Sequence, residues 1–204
     1  MNKLVKDALV LTAITLVSGL ALGAVYEITK EPIAQSSEAA TQEAYRTVFP
    51  DAASFEEYAE FDADAANDIA ASAGYSGAEI TETMTALDGD GNLLGYVFNV
   101  VSHEGYGGDI AFSMGVTTDG VLNGYSITSI SETAGLGMKA NEDAFMSQFQ
   151  DIPAEALTVT KQTAASETEI EAISGATITS NAVTNGVNAG IAYFSSIEGG
   201  AADE

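Results

Sequence analysis

Asp90-Gly91-Asn92-Leu93-Leu94-Gly95-Tyr96 recurs 29 residues later as Asp119-Gly120-Val121-Leu122-Asn123-Gly124-Tyr125. In each copy an Asp-Gly pair supplies a tight turn, a β-prone run follows, and a tyrosine is set to pack on a sheet. The flanking sequence agrees. Thr81–Ala86 alternates before the first turn, and Leu93–Ser102 is strongly β-prone after it. Ile110–Thr117 alternates before the second turn, and Val121–Ile130 follows it. Two hairpins of one design predict an antiparallel sheet, and two copies are too few for a solenoid.

Helices are expected on either side in sequence. Ala44, Tyr45, Val48 and Phe49 have helical spacing, and Pro50 ends that piece. Phe55, Tyr58 and Ala59 suggest a second short helix. Ala140–Phe149 reads as a helix with Phe145, Met146 and Phe149 on one face, and Asp151-Ile152-Pro153 ends it. Leu157–Thr160 reads as a strand. From Thr177 or Thr179 to about Phe194, Val183, Val187, Ile191 and Phe194 form an apolar stripe. Gly186 and Gly190 weaken that helix and predict close packing on the sheet.

Nineteen uncharged residues, Ala8 to Tyr26, precede all of this. As a helix they span roughly 28 Å, close to the hydrocarbon core of a bilayer. The run is longer than the apolar core of a signal peptide, and Asp7 is out of place in a signal's basic start, so a retained anchor is expected. Lys3 and Lys6 keep the N-terminus in the cytoplasm and the body of the chain outside the cytoplasmic membrane. Pro32 is expected to break any helix leaving the membrane. The fold class is therefore α+β, with a single N-terminal transmembrane helix followed by one domain of antiparallel hairpins flanked by helices. Its parts are residues 1–27 for the cytoplasmic N-terminus and span, 28–40 for a stalk, 41–197 for the domain and 198–204 for a disordered tail.

The net charge of −24 belongs to the exported part, where 28 acids from residue 28 onward face Lys30, Arg46, Lys139 and Lys161. Such a surface repels nucleic acid and anionic lipid headgroups. With no cysteine, disulfides, thiolate metal sites and cysteine-ligated iron–sulfur clusters are excluded. Asp88-Gly89-Asp90-Gly91-Asn92 begins like a calcium loop, but its twelfth position is Asn99 rather than an acid, so it reads as a hairpin turn. His103, the one histidine, has no partners at metal-ligand or triad spacing.

Three stretches remain for chemistry. Gly105-Tyr106-Gly107-Gly108 is a glycine-rich turn after a strand, and its bare backbone can approach a ligand. Ser131-Glu132-Thr133-Ala134-Gly135-Leu136-Gly137-Met138-Lys139 sets a carboxylate, a hydroxyl and a lone cation beside glycines. Ser174-Gly175-Ala176-Thr177 brings a threonine hydroxyl to a helix start. It reads either as a helix cap or as a phosphate seat on unpaired N–H groups.

Taken in order, the span, Thr29-Lys30-Glu31-Pro32-Ile33-Ala34, Gly-Tyr-Gly-Gly, Glu-Thr-x-Gly-Leu-Gly and Ser-Gly-Ala-Thr resemble the G-subunit family of the Rnf electron transport complex, the membrane-bound ferredoxin:NAD oxidoreductase. They are also similar to the C subunit of the sodium-pumping NADH:quinone oxidoreductase. The family's flavinylation pattern, Asp-x-x-Ser/Thr-Gly-Ala-Thr, stands here as Glu171-Ala172-Ile173-Ser174-Gly175-Ala176-Thr177, and Ala134 stands where the family often has proline. The resemblance implies covalent FMN joined by a phosphoester to Thr177, with Ser174, Gly175 and Ala176 around it. It also implies Gly107, Gly108, Glu132, Thr133, Leu136 and Gly137 as flavin contacts. A flavin transferase would mature the protein, and the other Rnf membrane subunits would be its partners. The subunit would be non-catalytic by itself, a redox carrier in an ion-translocating complex. A stand-alone anchored FMN carrier and a non-redox acidic surface-binding module are the alternatives.

Overall fold

The computed structural model describes residues 3–201. The chain divides into two units, Met1–Ala40 and Thr41–Glu204.

Helix α1 (Lys3–Val48) contains the apolar run and has the length and hydropathy to cross a membrane. The break expected at Pro32 does not occur, and residues 28–40 are helical. A proline removes one N–H donor and crowds the carbonyl four residues back, a local cost of about 3 kcal/mol. The helix formers that follow it, Ala34, Gln35, Glu38, Ala39 and Ala40, carry the helix onward.

The second unit is built on a six-stranded antiparallel sheet in sequence order: β1 (Ser54–Glu57), β2 (Ala78–Leu87), β3 (Leu93–Ser102), β4 (Ile110–Thr117), β5 (Val121–Ser129) and β6 (Ile152–Pro153). Both repeated segments are hairpins. In the first, Asp88 Oδ1 accepts from the N–H groups of Asp90 and Asn92, which closes the turn. In the second, Thr117 Oγ1 accepts from Val121 N–H. Tyr96 and Tyr125 are both buried in the same core, as the repeat predicts.

That core is covered by α2 (Ala63–Ser72) and α4 (Thr177–Ala201). Gly186 and Gly190 lie against Phe112 and Met114, so the helix seats directly on the central strands. The opposite face takes the last turns of α1, where Tyr45, Val48 and Phe49 pack on Met84, Ala86 and Val97. A polar group sits beneath them: Tyr45 O–H donates to Glu82, Asn99 Nδ2 donates to both, and Ser113 O–H donates to Asn99 Oδ1. The sheet is thus covered on both sides and has two cores.

Three further expectations change. The helix expected around Phe55 is β1, an edge strand paired with β2, with Phe55 turned toward Tyr45 and Tyr58 toward Tyr96. Side chains on opposite faces are strand geometry, and so short a window does not separate the two periods. The helix expected over Ala140–Phe149 is a 3-10 turn (Gly137–Asn141), the single turn α3 (Asp143–Met146) and a second 3-10 turn (Ser147–Phe149). Tyr125 O–H donates to the Ala140 carbonyl at 2.5 Å, claiming the acceptor a continuous helix would offer to residue 144. The strand expected over Leu157–Thr160 is present as β7 (Thr158–Thr160), which pairs in parallel with β8 (Glu169–Glu171) in a separate two-stranded sheet. Finally, α4 continues beyond Phe194 to Ala201, so the tail expected to be disordered from residue 198 starts inside a helix; residues 202–204 lie outside the described residues.

Candidate functional site

The Ser174–Thr177 turn leads into α4, and its shape follows from two local devices. Gly175 has φ +80°, the left-handed region that glycine enters freely. Ser180, fully buried in the first turn of α4, accepts from Ile173 N–H at 2.9 Å and donates to the Ala176 carbonyl at 3.0 Å. The turn is therefore tied from inside the helix. Thr177 is the first residue of α4 and is half-buried. By helix geometry the N–H groups of Thr177, Ile178 and Thr179 point out of that end without intrahelical acceptors.

Glu132 organises the facing wall. Its Oε1 accepts from Tyr106 N–H at 2.8 Å and from Gly107 N–H at 3.2 Å, which staples the 105–108 loop to the segment after β5. Its Oε2 faces Gly137, where a Cβ would lie 2.5 Å from it and 2.7 Å from Thr179 Oγ1. Gly137 thus lets the Glu132 segment close against the start of α4. Gly107 plays a similar part against the Ser131 carbonyl.

Between these walls lies a cleft of about 530 Å³. Glu132, Thr133, Leu136 and Gly137 line one side. Gly175, Ala176 and Thr177 line the other, with Ile178 and Thr179 continuing along α4. Ser174 instead opens onto an adjoining cleft of about 200 Å³ with Lys139, Glu142, Gln148 and Glu171. Gly107 and Gly108 belong to the stapled loop and do not line the cleft, whereas Tyr106 beside them does. Lys139, expected beside the ligand as a cation, faces the smaller cleft. Glu171 is committed elsewhere: its backbone is held by the Gln148 amide, and its carboxylate accepts from Ala164 N–H.

The rim of the larger cleft is apolar. Among the described residues outside α1, the exposed large hydrophobic side chains are Leu93, Tyr106, Leu136 and Ile178, and all but Leu93 surround this cleft. Tyr106 is 73% exposed and Ile178 54%. Grouping exposed apolar side chains in one place on so acidic a surface makes this cleft the candidate binding site. The site thus combines an apolar rim, a row of outward N–H groups and the hydroxyls of Thr133, Thr177 and Thr179, a set that suits a ligand with an apolar body and an anionic end. Tyr106, Ile178 and Thr179 line the cleft without being singled out as contacts by the sequence. The signal for Tyr106 was present, a large aromatic between glycines in a loop. Ile178 carried one only as an apolar residue outside the stripe of α4.

His103 lies away from the cleft on the surface, its Nδ1 3.0 Å from Asp109 and its Nε2 3.4 Å from Glu79. The bond to Asp109, opposed by partial burial and helped by Glu79, raises its pKa above the usual histidine value. No group of carboxylates and histidines able to hold a metal ion occurs among the described residues.

Residues 105–192, which contain all three glycine motifs, match the family model of the FMN-binding domain. The chain is 35% identical over 190 residues to the G subunit of the proton-translocating ferredoxin:NAD(+) oxidoreductase complex of Clostridium ljungdahlii, covering 93% of this chain and 91% of that protein. It is 34% identical over 197 residues to the G subunit of the Na(+)-translocating ferredoxin:NAD(+) oxidoreductase complex of Acetobacterium woodii, covering 94% and 92%. Among solved structures, the C subunit of the Na(+)-translocating NADH-quinone reductase from Parabacteroides distasonis superposes with a TM-score of 0.51 at 18% identity, over 78% of this chain and 92% of that one. That last likeness is one of fold.

Proposed function

The chain belongs to the G-subunit family of ferredoxin:NAD(+) oxidoreductase (Rnf) complexes, and we propose that it carries electrons in such a complex on FMN joined to Thr177. The observation that carries this reading is the position of Thr177. It opens α4, it is partly accessible, and it borders the cleft whose rim gathers exposed apolar side chains. Bound FMN supplies one- and two-electron chemistry that no side chain of this cysteine-free protein offers.

The residues fit such a group. The N–H groups at the start of α4 and the positive end of its dipole suit a phosphate ester on the Thr177 hydroxyl. Gly175 leaves the approach to that hydroxyl open. Leu136 and Ile178 offer apolar surface for a planar ring. Glu132 holds the opposite wall through backbone bonds, so its role is to position rather than to react. An unactivated threonine hydroxyl is a weak nucleophile. A flavin transferase would therefore form the Thr177 Oγ–phosphorus bond by breaking the pyrophosphate of FAD, with AMP leaving and the hydroxyl proton lost to a base of that enzyme.

The apolar run of α1 anchors the domain, and Lys3 and Lys6 before it keep the N-terminus cytoplasmic and the domain outside. One span leaves the ion path to the other members of the complex. The test is in-gel flavin fluorescence of the denatured full-length protein produced together with the transferase. A fluorescent band that vanishes in Thr177→Ala is the expected result. Absence of the band in the parent protein, or an undiminished band in the variant, overturns the covalent assignment.

A further inference from the structure

Tyr106 combines two properties that ordinarily exclude each other. Its side chain is among the most exposed large apolar groups outside α1, at 73%. Its backbone is tied down, because its N–H and that of Gly107 both donate to one carboxylate oxygen of Glu132. Gly107 allows no side chain, since a Cβ there would meet the Ser131 carbonyl. An exposed aromatic on a mobile loop needs no explanation. One on a loop stapled from beneath is held out toward something. The aromatics that form ring pairs belong to the domain's packed interior and its margin, and Tyr106 forms no such pair among the described residues.

Resting on the reading of Thr177 as the tether, we infer that Tyr106 is the positioning residue that packs against the ring of the tethered flavin. The phosphoester would fix one end of the ligand at α4, and the ring would still rotate on its ribityl chain. Thr177 and Tyr106 line the same cleft from different segments, so the phenol meets the ring's far part while Ile178 bears on it from α4 and Leu136 from the Glu132 wall. Aromatic faces of opposite electron demand favour offset stacking, and an electron-rich phenol against an electron-poor flavin is such a pair. The phenol would also cover the ring from water and small solutes. The role is to hold and screen the ring, and Tyr106 takes no part in bond making.

The experiment uses the full-length protein in detergent, flavinylated during expression, with Tyr106→Ala and Tyr106→Phe beside the parent. Flavin load is read from the denatured band. Ring docking is read from the native flavin fluorescence and its quenching by iodide. Native signals are normalised to the flavin load of each protein, because Tyr106 lines the binding cleft. Loss of the aromatic pair lowers the ratio of docked to undocked ring roughly 2- to 10-fold. The Tyr106→Ala protein should then show brighter native flavin, more accessible to iodide, and Tyr106→Phe should keep the ring screened from iodide. Unchanged native fluorescence per bound flavin and unchanged iodide access in Tyr106→Ala overturn the inference and leave the tether standing. A parent protein without any denatured flavin band overturns the tether, and the stacking role with it.

Discussion

At Glu132 one carboxylate oxygen accepts two backbone N–H bonds from a loop 25 and 26 residues earlier in the chain, while the other faces Gly137. This single side chain joins the two glycine-rich segments into one wall. Hydrogen bonds to a charged acceptor are worth about 1.5–3 kcal/mol, and half-burial here reduces that. Glu132→Ala is expected to cost about 1–2 kcal/mol in urea unfolding, and Glu132→Gln less, because an amide oxygen can still accept both bonds. Equal stability of Glu132→Ala and the parent would show that the loop holds its shape without the staple. Of the flavin contacts expected from resemblance, Glu132 lines the cleft, but its hydrogen bonds give it a structural task that no spacing in the sequence announces.

Helix α4 carries the proposed tether at one end and the closest helix–sheet contact in its middle. Gly186 lies over Phe112, where a Cβ would be 2.8 Å from the ring, and Gly190 lies over the thioether of Met114. Phe112 is itself held edge-on by Tyr125 and cannot swing aside, whereas methionine is flexible and adapts. Alanine in place of glycine in a helix gains roughly 0.5–1 kcal/mol of backbone entropy. Overpacking against a rigid partner costs about 1–3 kcal/mol. Gly186→Ala is therefore expected to destabilise by about 1–2 kcal/mol and Gly190→Ala by clearly less. Denaturation of the two variants side by side tests the ranking, and the reverse order would refute this account of the helix seat. The hairpins were legible as elements because Asp-Gly turns and alternation are local signals, and β3 and β4 begin and end where the pattern does. Pro32 and the Ala140–Phe149 segment depart from their local pattern for the opposite reason. Local rules name what a residue disfavours, but the helix around Pro32 continues, and a long-range bond from Tyr125 interrupts the other segment.

On the scale of the whole molecule, the unit Thr41–Glu204 has buried cores on both faces of its sheet, and the large exposed apolar side chains lie overwhelmingly in α1. A chain beginning at Thr41 is expected to be soluble, to run as a compact species in size exclusion and to unfold in one cooperative thermal transition with its β signal intact. Aggregation or loss of the transition would show that the first unit is needed for folding. From its sequence alone this protein declares an apolar segment of membrane length, a strongly acidic remainder, two antiparallel hairpins and a threonine at a helix start. Each depends on composition or on neighbours within a few residues. Only tertiary structure decided that Tyr106, Glu132 and Thr177, separated by 26 and 45 residues, meet round one cleft. It also turned Gly107 and Gly108 into loop architecture and sent Ser174 and Lys139 to a different cleft. The reason is physical: sequence periodicity sets which side of an element is apolar, whereas the meeting of loops depends on how closely glycines let those elements pack and on where a half-buried carboxylate finds its N–H donors.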